Sequence, residues 1–381
     1  MRLRHAVAAA ATTVVGAGVA ALAAGRYGSR FALDPAVAGP APSGLVTVHS
    51  VTPHQVVLTR TPESERPGVY GLTGAGVHAT VGPVVATGDG GNSVTRTLTQ
   101  VDKGTLDAGA FVRMTPQAYA GDPRTARDLD FHETRVPGEL GPLPAWYLPG
   151  ARSTWVIAVH GVGATREQAL PVLPALHRFR LPVLVPSYRN DPGAPASPDG
   201  IGHLGATEWH DLDAAMRHAV EQGATALVLY GWSTGAAMAL RALHRSPTAS
   251  KVIGLVLDSP VLDWRATVAA AVHSRGLPGA LTPLAVRAAL GRTAAHGTRP
   301  PGAASGADPE PDVPARLDVP TLILHGPDDA FAPWSASRAL ADRNPAKASL
   351  HPVPGAAHTA MWNADPEDYE ETLRRFLTPL M

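Results

Sequence analysis

Ser233 stands in Gly231-Trp232-Ser233-Thr234-Gly235, a G-x-S-x-G pattern. Five residues of this kind recur by chance, so their setting gives them weight. They follow an apolar run, Ala226–Tyr230, and open a helix-periodic stretch, Ser233–His244. A serine on such a strand-to-helix turn is held with its hydroxyl raised above a sheet. An alcohol is a weak nucleophile and needs a base. Of the sixteen histidines, His358 is the one placed for that work, in Pro354-Gly355-Ala356-Ala357-His358 between the last predicted strand and the last helix. His351 falls within a strand pattern, and His203, His210, His218 and His244 fall on or near helices, where a solvated imidazole is ordinary. The base in turn needs a carboxylate to fix its tautomer. Asp329 follows the strand Thr321–Leu324 and is the first candidate, with Asp258 and the adjacent Asp328 as alternatives. An oxyanion needs N–H donors, one from the residue after the nucleophile, Thr234, and one from the glycine-bearing loop His160-Gly161-Val162-Gly163. Val162 N–H is the expected second donor, and His160, at a strand end, is read as structural.

These residues lie after four different apolar segments, so the segments must converge. Trp155–His160, Val183–Pro186, Ala226–Tyr230, Val252–Leu257, Thr321–Leu324 and Ser349–Val353 read as strands. Helical patterns lie between them at Arg166–Phe179, weakened by Pro171 and Pro174, and at Thr207–Gln222 and Ser233–His244, with Pro366–Leu377 closing the chain. Continuous apolar strands alternating with helices predict an α/β fold, a parallel sheet covered on both faces. In such sheets chemistry collects beyond the carboxyl ends of the strands. The alternation breaks over Leu262–Leu317: Val268–Leu290 reads as helical and Gly291–Pro314 is rich in Pro, Gly and Ala. An insertion there would lie over the strand ends as a cap.

The chain has 381 residues, 45% of them hydrophobic, enough for a sizeable core. Its 32 basic and 32 acidic side chains cancel, and no basic stripe invites nucleic acid. Without cysteine there is no disulfide, thiolate nucleophile or cysteine-held metal. No His-Glu-x-x-His or close acidic cluster suggests a metal, and no G-x-G-x-x-G opens the first helix, so no cofactor is expected. Arg2 and Arg4 precede an uncharged run, Ala6–Gly25, that is long enough to span a bilayer and also fits a secretory signal, with Ala21-Leu22-Ala23 as a cleavage site. The expected division is an anchor or signal over 1–30, a β-rich region over 31–130 and a catalytic domain over 131–381. The chain is expected to be exported, either anchored through residues 6–25 or secreted. Asp34–Ser43 reads as a linker, and Val46–Val51, Gln55–Thr59, Val77–Val81, Phe111–Met114 and Phe131–Val136 read as strands.

On these motifs the sequence resembles the α/β-hydrolase superfamily over roughly residues 130–381. His160-Gly-Val-Gly is similar to its oxyanion loop, and Gly231–Gly235 to its nucleophile turn. His325-Gly-Pro-Asp-Asp329, with Pro333, is similar to its acid loop, and Gly355-Ala-Ala-His358 to its histidine loop. The order Ser, Asp, His along the chain is that of the family. Tyr188-Arg189-Asn190-Asp191 looks like a loop of bacterial relatives of serine aminopeptidases and acyl esterases. The resemblance implies a mostly parallel sheet with an antiparallel strand drawn from before Trp155. It covers nothing of the first 130 residues.

The expected activity is hydrolysis of a carboxylic ester through an acyl-enzyme, with a small-molecule or lipid-like acyl substrate. A peptidase and an acyltransferase use the same three side chains and remain alternatives. A non-enzymatic surface-binding protein is disfavoured because no member of the three is missing. Trp232, Tyr188, Trp264, Trp334 and Trp362 could line a pocket or fill the core. Acyl length and oligomeric state have no readable code.

Overall fold

A computed structural model describes residues 22–88, 90–294 and 316–381. Met1–Ala21 lie outside it, and with them most of the apolar run expected to anchor or export the chain. So does 295–315, most of the second half of the expected cap. Among the described residues no helix is long and apolar enough to cross a membrane.

The first body of structure is a closed six-stranded antiparallel barrel, in the order β1-β2-β5-β4-β3-β6. Its strands are β1 (Leu45–Thr52), β2 (Gln55–Thr59), β3 (Tyr70–Gly74), β4 (Val77–Thr87), β5 (Ser93–Lys103) and β6 (Phe111–Thr115). Alternation fills the lumen: Val56 and Leu58 from β2, Val94 and Leu98 from β5, Val112 and Met114 from β6 all point inward. Arg96 occupies an inward position as well and is wholly buried.

A short helix, α2 (Pro123–Arg127), leads to the second body, an eight-stranded sheet in the order β14-β13-β12-β11-β9-β10-β8-β7. Its strands are β7 (His132–Gly138), β8 (Gly141–Leu148), β9 (Thr154–Val159), β10 (Val183–Pro186), β11 (Ala226–Trp232), β12 (Val252–Asp258), β13 (Thr321–His325) and β14 (Ala348–Pro352). From β14 to β10 neighbouring strands are parallel, while β8 and β7 are antiparallel and come from before Trp155. Alternate side chains of each strand feed two cores. One face packs on α3 (Leu173–Arg178) and α10 (Pro366–Leu377); the other packs on α4 (Trp209–Glu221), α5 (Thr234–Arg245) and α8 (Trp334–Arg343). This is the α/β-hydrolase fold, preceded by a β-rich region.

Several local expectations shift for identifiable reasons. The helix expected over Arg166–Phe179 divides into a 3₁₀ turn, Arg166–Ala169, and α3. Pro171 lacks the N–H that a continuous helix would need, and Pro174 is accommodated in the first turn of α3. The helix expected from Thr207 begins at Trp209 as α4, and the Thr207 hydroxyl pairs with the His203 ring at 3.0 Å. The expected helix Val268–Leu290 is two, α6 (Trp264–His273) and α7 (Thr282–Ala294), with Gly276 and Pro278 between them. A helix over residues 22–33, α1, packs on this pair, burying Ala32 and Leu33 against Trp264, Val268 and Phe331. Arg275 holds the segment after α1 by donating to the carbonyls of Gly39 and Val37, with its guanidinium over the Phe31 ring.

Candidate active site

Ser233 is the hinge between β11 and α5, with φ 53° and ψ −114°. A non-glycine residue holds such a conformation only where its surroundings impose it. Ser233 N–H donates to the Asp258 carbonyl at 2.9 Å, and its own carbonyl accepts from Val261 N–H at 3.2 Å. Gly235 of the motif and Gly161 of the facing loop are there for space. A Cβ on Gly235 would collide with the Val159 carbonyl oxygen, and one on Gly161 would come within 2.7 Å of Ser233 Cβ. The turn can therefore press against the end of β9 only with glycine at those places.

The hydroxyl so presented meets His358. His358 Nε2 lies 2.8 Å from Ser233 Oγ, and His358 Nδ1 lies 2.7 Å from Asp329 Oδ2. With the carboxylate ionised, Nδ1–H donates to it and Nε2 is left to accept from the serine O–H. Ser233 is 2% and His358 7% exposed, so the pair sits at the floor of a cleft. The Phe331 ring centroid, 4.7 Å from that of His358, covers one side of the imidazole.

Asp329 collects more donors than the sequence suggested. Its Oδ1 accepts from the N–H groups of Phe331 and Ala332 at 2.8 and 2.9 Å. Its Oδ2 accepts from a second imidazole, His325 Nε2 at 3.1 Å, whose Nδ1 lies 2.7 Å from Ser337 Oγ on α8. Burial alone would raise this carboxyl; the neighbouring His358 and the bonds from both imidazoles outweigh it and hold it well below the usual carboxylate range. His325 was present in the motif that pointed to Asp329, but its partner Ser337 arrives only through tertiary folding.

The other two acids are engaged elsewhere. Asp258 is wholly buried, accepting from Ser259 Oγ and from Tyr369 on α10, each at 2.8 Å, and Tyr369 also pairs with the Tyr230 hydroxyl. Asp328 is exposed and accepts from Gly355 N–H at 3.2 Å.

The residues expected to bind an oxyanion are brought together, but one is occupied. Val162 N–H donates to Thr234 Oγ1 at 2.7 Å, while Thr234 N–H, at the first position of α5, has no partner within its helix. An incoming oxygen has to displace the threonine hydroxyl from Val162. Behind this loop His160 Nε2 is bonded to Asp191 at 2.7 Å, and the Tyr188 hydroxyl donates to the Gly161 carbonyl at 3.1 Å. His160 is thus tied down by hydrogen bonds, and Tyr188 braces the loop. Arg189, from the same segment, is bonded to buried Asp211 through two nitrogens.

The cleft above Ser233 has a volume of about 700 Å³. Trp232, Trp362, Phe331 and the oxyanion loop line its floor, and Arg66, Thr73, Arg113 and Met114 of the barrel line a wall. Trp264 instead fills the core beneath the cap, and Trp334 packs edge-on to His325. Among the described residues no cluster of side chains is arranged to hold a metal ion.

Comparison with known proteins bears on family and fold. A family described as the alpha/beta hydrolase family matches residues 156–372, more than half of the chain. A family described as a domain of unknown function (DUF8805) matches residues 47–115, which fall in the barrel. No curated protein sequence matches. Among solved structures, an esterase of Pyrococcus furiosus superposes with a TM-score of 0.54 at 18% identity, over 68% of this chain and 94% of its own. Alpha/beta hydrolase domain-containing protein 10 from mouse gives 0.49 at 18% identity, over 66% and 100%. At 18% identity the likeness to the Pyrococcus furiosus esterase concerns the fold.

Proposed function

The chain belongs to the alpha/beta hydrolase family, and we propose that it is a serine hydrolase cleaving a carboxylic ester through an acyl-enzyme. The observation that carries this reading is the continuous path Ser233 Oγ–His358–Asp329, with links of 2.8 and 2.7 Å, on the floor of the cleft.

Ser233 attacks the acyl carbonyl while His358 Nε2 takes its proton. Asp329 keeps Nδ1 protonated and stabilises the imidazolium that forms. The oxyanion takes the N–H groups of Thr234 and Val162, the threonine hydroxyl turning aside about its Cα–Cβ bond. Each such donor is worth roughly 10²–10³ in rate. His358 then protonates the leaving alkoxide and activates a water that releases the acid. The acyl group or the alcohol extends between the oxyanion loop and the barrel wall. An ester asks least of this site, because an alkoxide is a better leaving group than the nitrogen of an amide.

A short-chain aryl ester assayed beside an aminoacyl arylamide tests the proposal. Turnover of the ester, abolished by Ser233→Ala, is the expected result. Strong amide cleavage with negligible ester cleavage would make the chain a peptidase instead.

A further inference from the structure

The barrel touches the hydrolase body where the general base is carried. Ala360, two residues beyond His358, is wholly buried in the barrel's own hydrophobic core, and Ala357 packs against the same cluster. Three residues further on, Asn363 in α9 (Met361–Ala364) is 2% exposed and makes three bonds to the barrel side. Its Nδ2 donates to the carbonyls of Val69 and Pro116 at 2.7 and 2.8 Å, and its own carbonyl accepts from Val69 N–H at 2.8 Å.

The barrel segment that receives Asn363 is itself fixed from within. Arg96, in the lumen, donates to the carbonyls of Gly82, Ser64, Arg66 and Gly68 at 2.6–3.0 Å. A guanidinium presents its donors in a rigid fork, so it pins three carbonyls of the 64–68 segment at once. Gly68, at φ +91°, lies so close to Asn363 that a Cβ there would strike the Asn363 carbonyl oxygen. On the opposite side the histidine loop is held by the hydrolase body, through Thr359 N–H to Ser259 Oγ at 2.9 Å.

We propose that the barrel is a clamp on the histidine loop: Arg96 fixes the 64–68 segment, that segment and Val69 fix Asn363, and Asn363 with Ala360 fixes the placement of His358 against Ser233. Asn363 is in this sense a positioning residue. The proposal rests on the assignment of His358 as general base. It gives the barrel a part in every turnover, in addition to its place as a wall of the cleft.

The two roles separate on a small substrate. An acetyl aryl ester is too short to need the barrel wall, so a pure wall would leave its turnover alone. A clamp would not, since displacing a catalytic group by about 1 Å costs on the order of 10²-fold in rate. Full-length Asn363→Ala and Gly68→Ala, which loosen the contact from opposite sides, are compared with wild type. The readouts are near-UV circular dichroism, kcat and KM on the acetyl ester, and the downfield proton resonance of the His358 Nδ1–H bonded to Asp329. With the fold retained, the clamp predicts a fall in kcat of that order, little change in KM, and a resonance broadened or lost in both variants. Wild-type kcat on the acetyl ester with an unchanged resonance in a folded variant, or a defect confined to long esters, overturns it. Because the resonance reports geometry without turnover, it still judges the clamp should wild type cleave no ester.

Discussion

Asp329 is the residue on which the site's electrostatics turn, because it is shared by two imidazoles. His358 was legible from sequence as a loop histidine after the last strand, and Asp329 as an acid after the strand before it. His325 was not legible in its role, because a histidine ending a buried strand gives no sign of what folding will set beside it. Its Nε2–H donates to Oδ2 and its Nδ1 accepts from Ser337. A hydrogen bond to a charged group contributes about 1.5–3 kcal/mol, and here part of that holds Asp329 ionised and aimed at His358. His325→Leu should therefore lower kcat by roughly 10–100-fold with KM little changed. His325→Gln, which keeps a donor at the same reach, should recover most of it. Steady-state kinetics on the three proteins decide this, and equal losses in both variants would deny His325 the role. Val162 was readable as a loop N–H beside the nucleophile, whereas the Thr234 hydroxyl that occupies it was not, since a side-chain rotamer has no signature in a motif.

At the scale of elements, the hydrolase sheet was readable because its central strands, β9 to β13, are buried on both faces and so form nearly unbroken apolar runs. The barrel was harder. Its strand β3 is Tyr-Gly-Leu-Thr-Gly, and β5 alternates polar residues with inward positions, one of them taken by Arg96. An arginine where a barrel needs an apolar residue hides the period. What binds sheet to helix at the strand ends is also partly polar: Asp258 at the end of β12 joins Tyr369 of α10, which joins Tyr230 of β11. Burial pushes the Asp258 carboxyl up to about 6, despite the hydrogen bonds from Ser259 and Tyr369 that oppose the shift. The native state therefore holds this proton more tightly than the unfolded chain, whose aspartate titrates near 4. As pH rises from about 4 to about 6 the unfolded chain gives up the proton first, and native stability falls by roughly 2–3 kcal/mol before levelling. Asp329, shifted the opposite way, exerts its effect below that window. Urea unfolding of wild type and Asp258→Asn across pH 4–7 should show their stability difference declining by that amount, and a flat difference would contradict the assignment.

In the whole molecule, the barrel and helix α1, which share no sequence pattern, both pack on the hydrolase body. The barrel supplies a wall and packs on the histidine loop. Helix α1, whose first residues end the 1–30 stretch expected to be an anchor or signal, packs through residues 22–33 on α6 and α7 beside Phe331. Neither assembly was legible, because contacts between distant segments follow from shape and burial rather than from local period. The convergence of Ser233, His358 and Asp329 was legible, because three residue types had to follow three strand ends in one order.

The most direct test of the account is to treat the folded full chain with a fluorophosphonate and map the adduct by mass spectrometry. The account predicts a single phosphonylated residue, Ser233, formed much more slowly in His358→Ala and absent in Ser233→Ala. Labelling of another serine, or an adduct on Ser233 whose rate does not depend on His358, would contradict it.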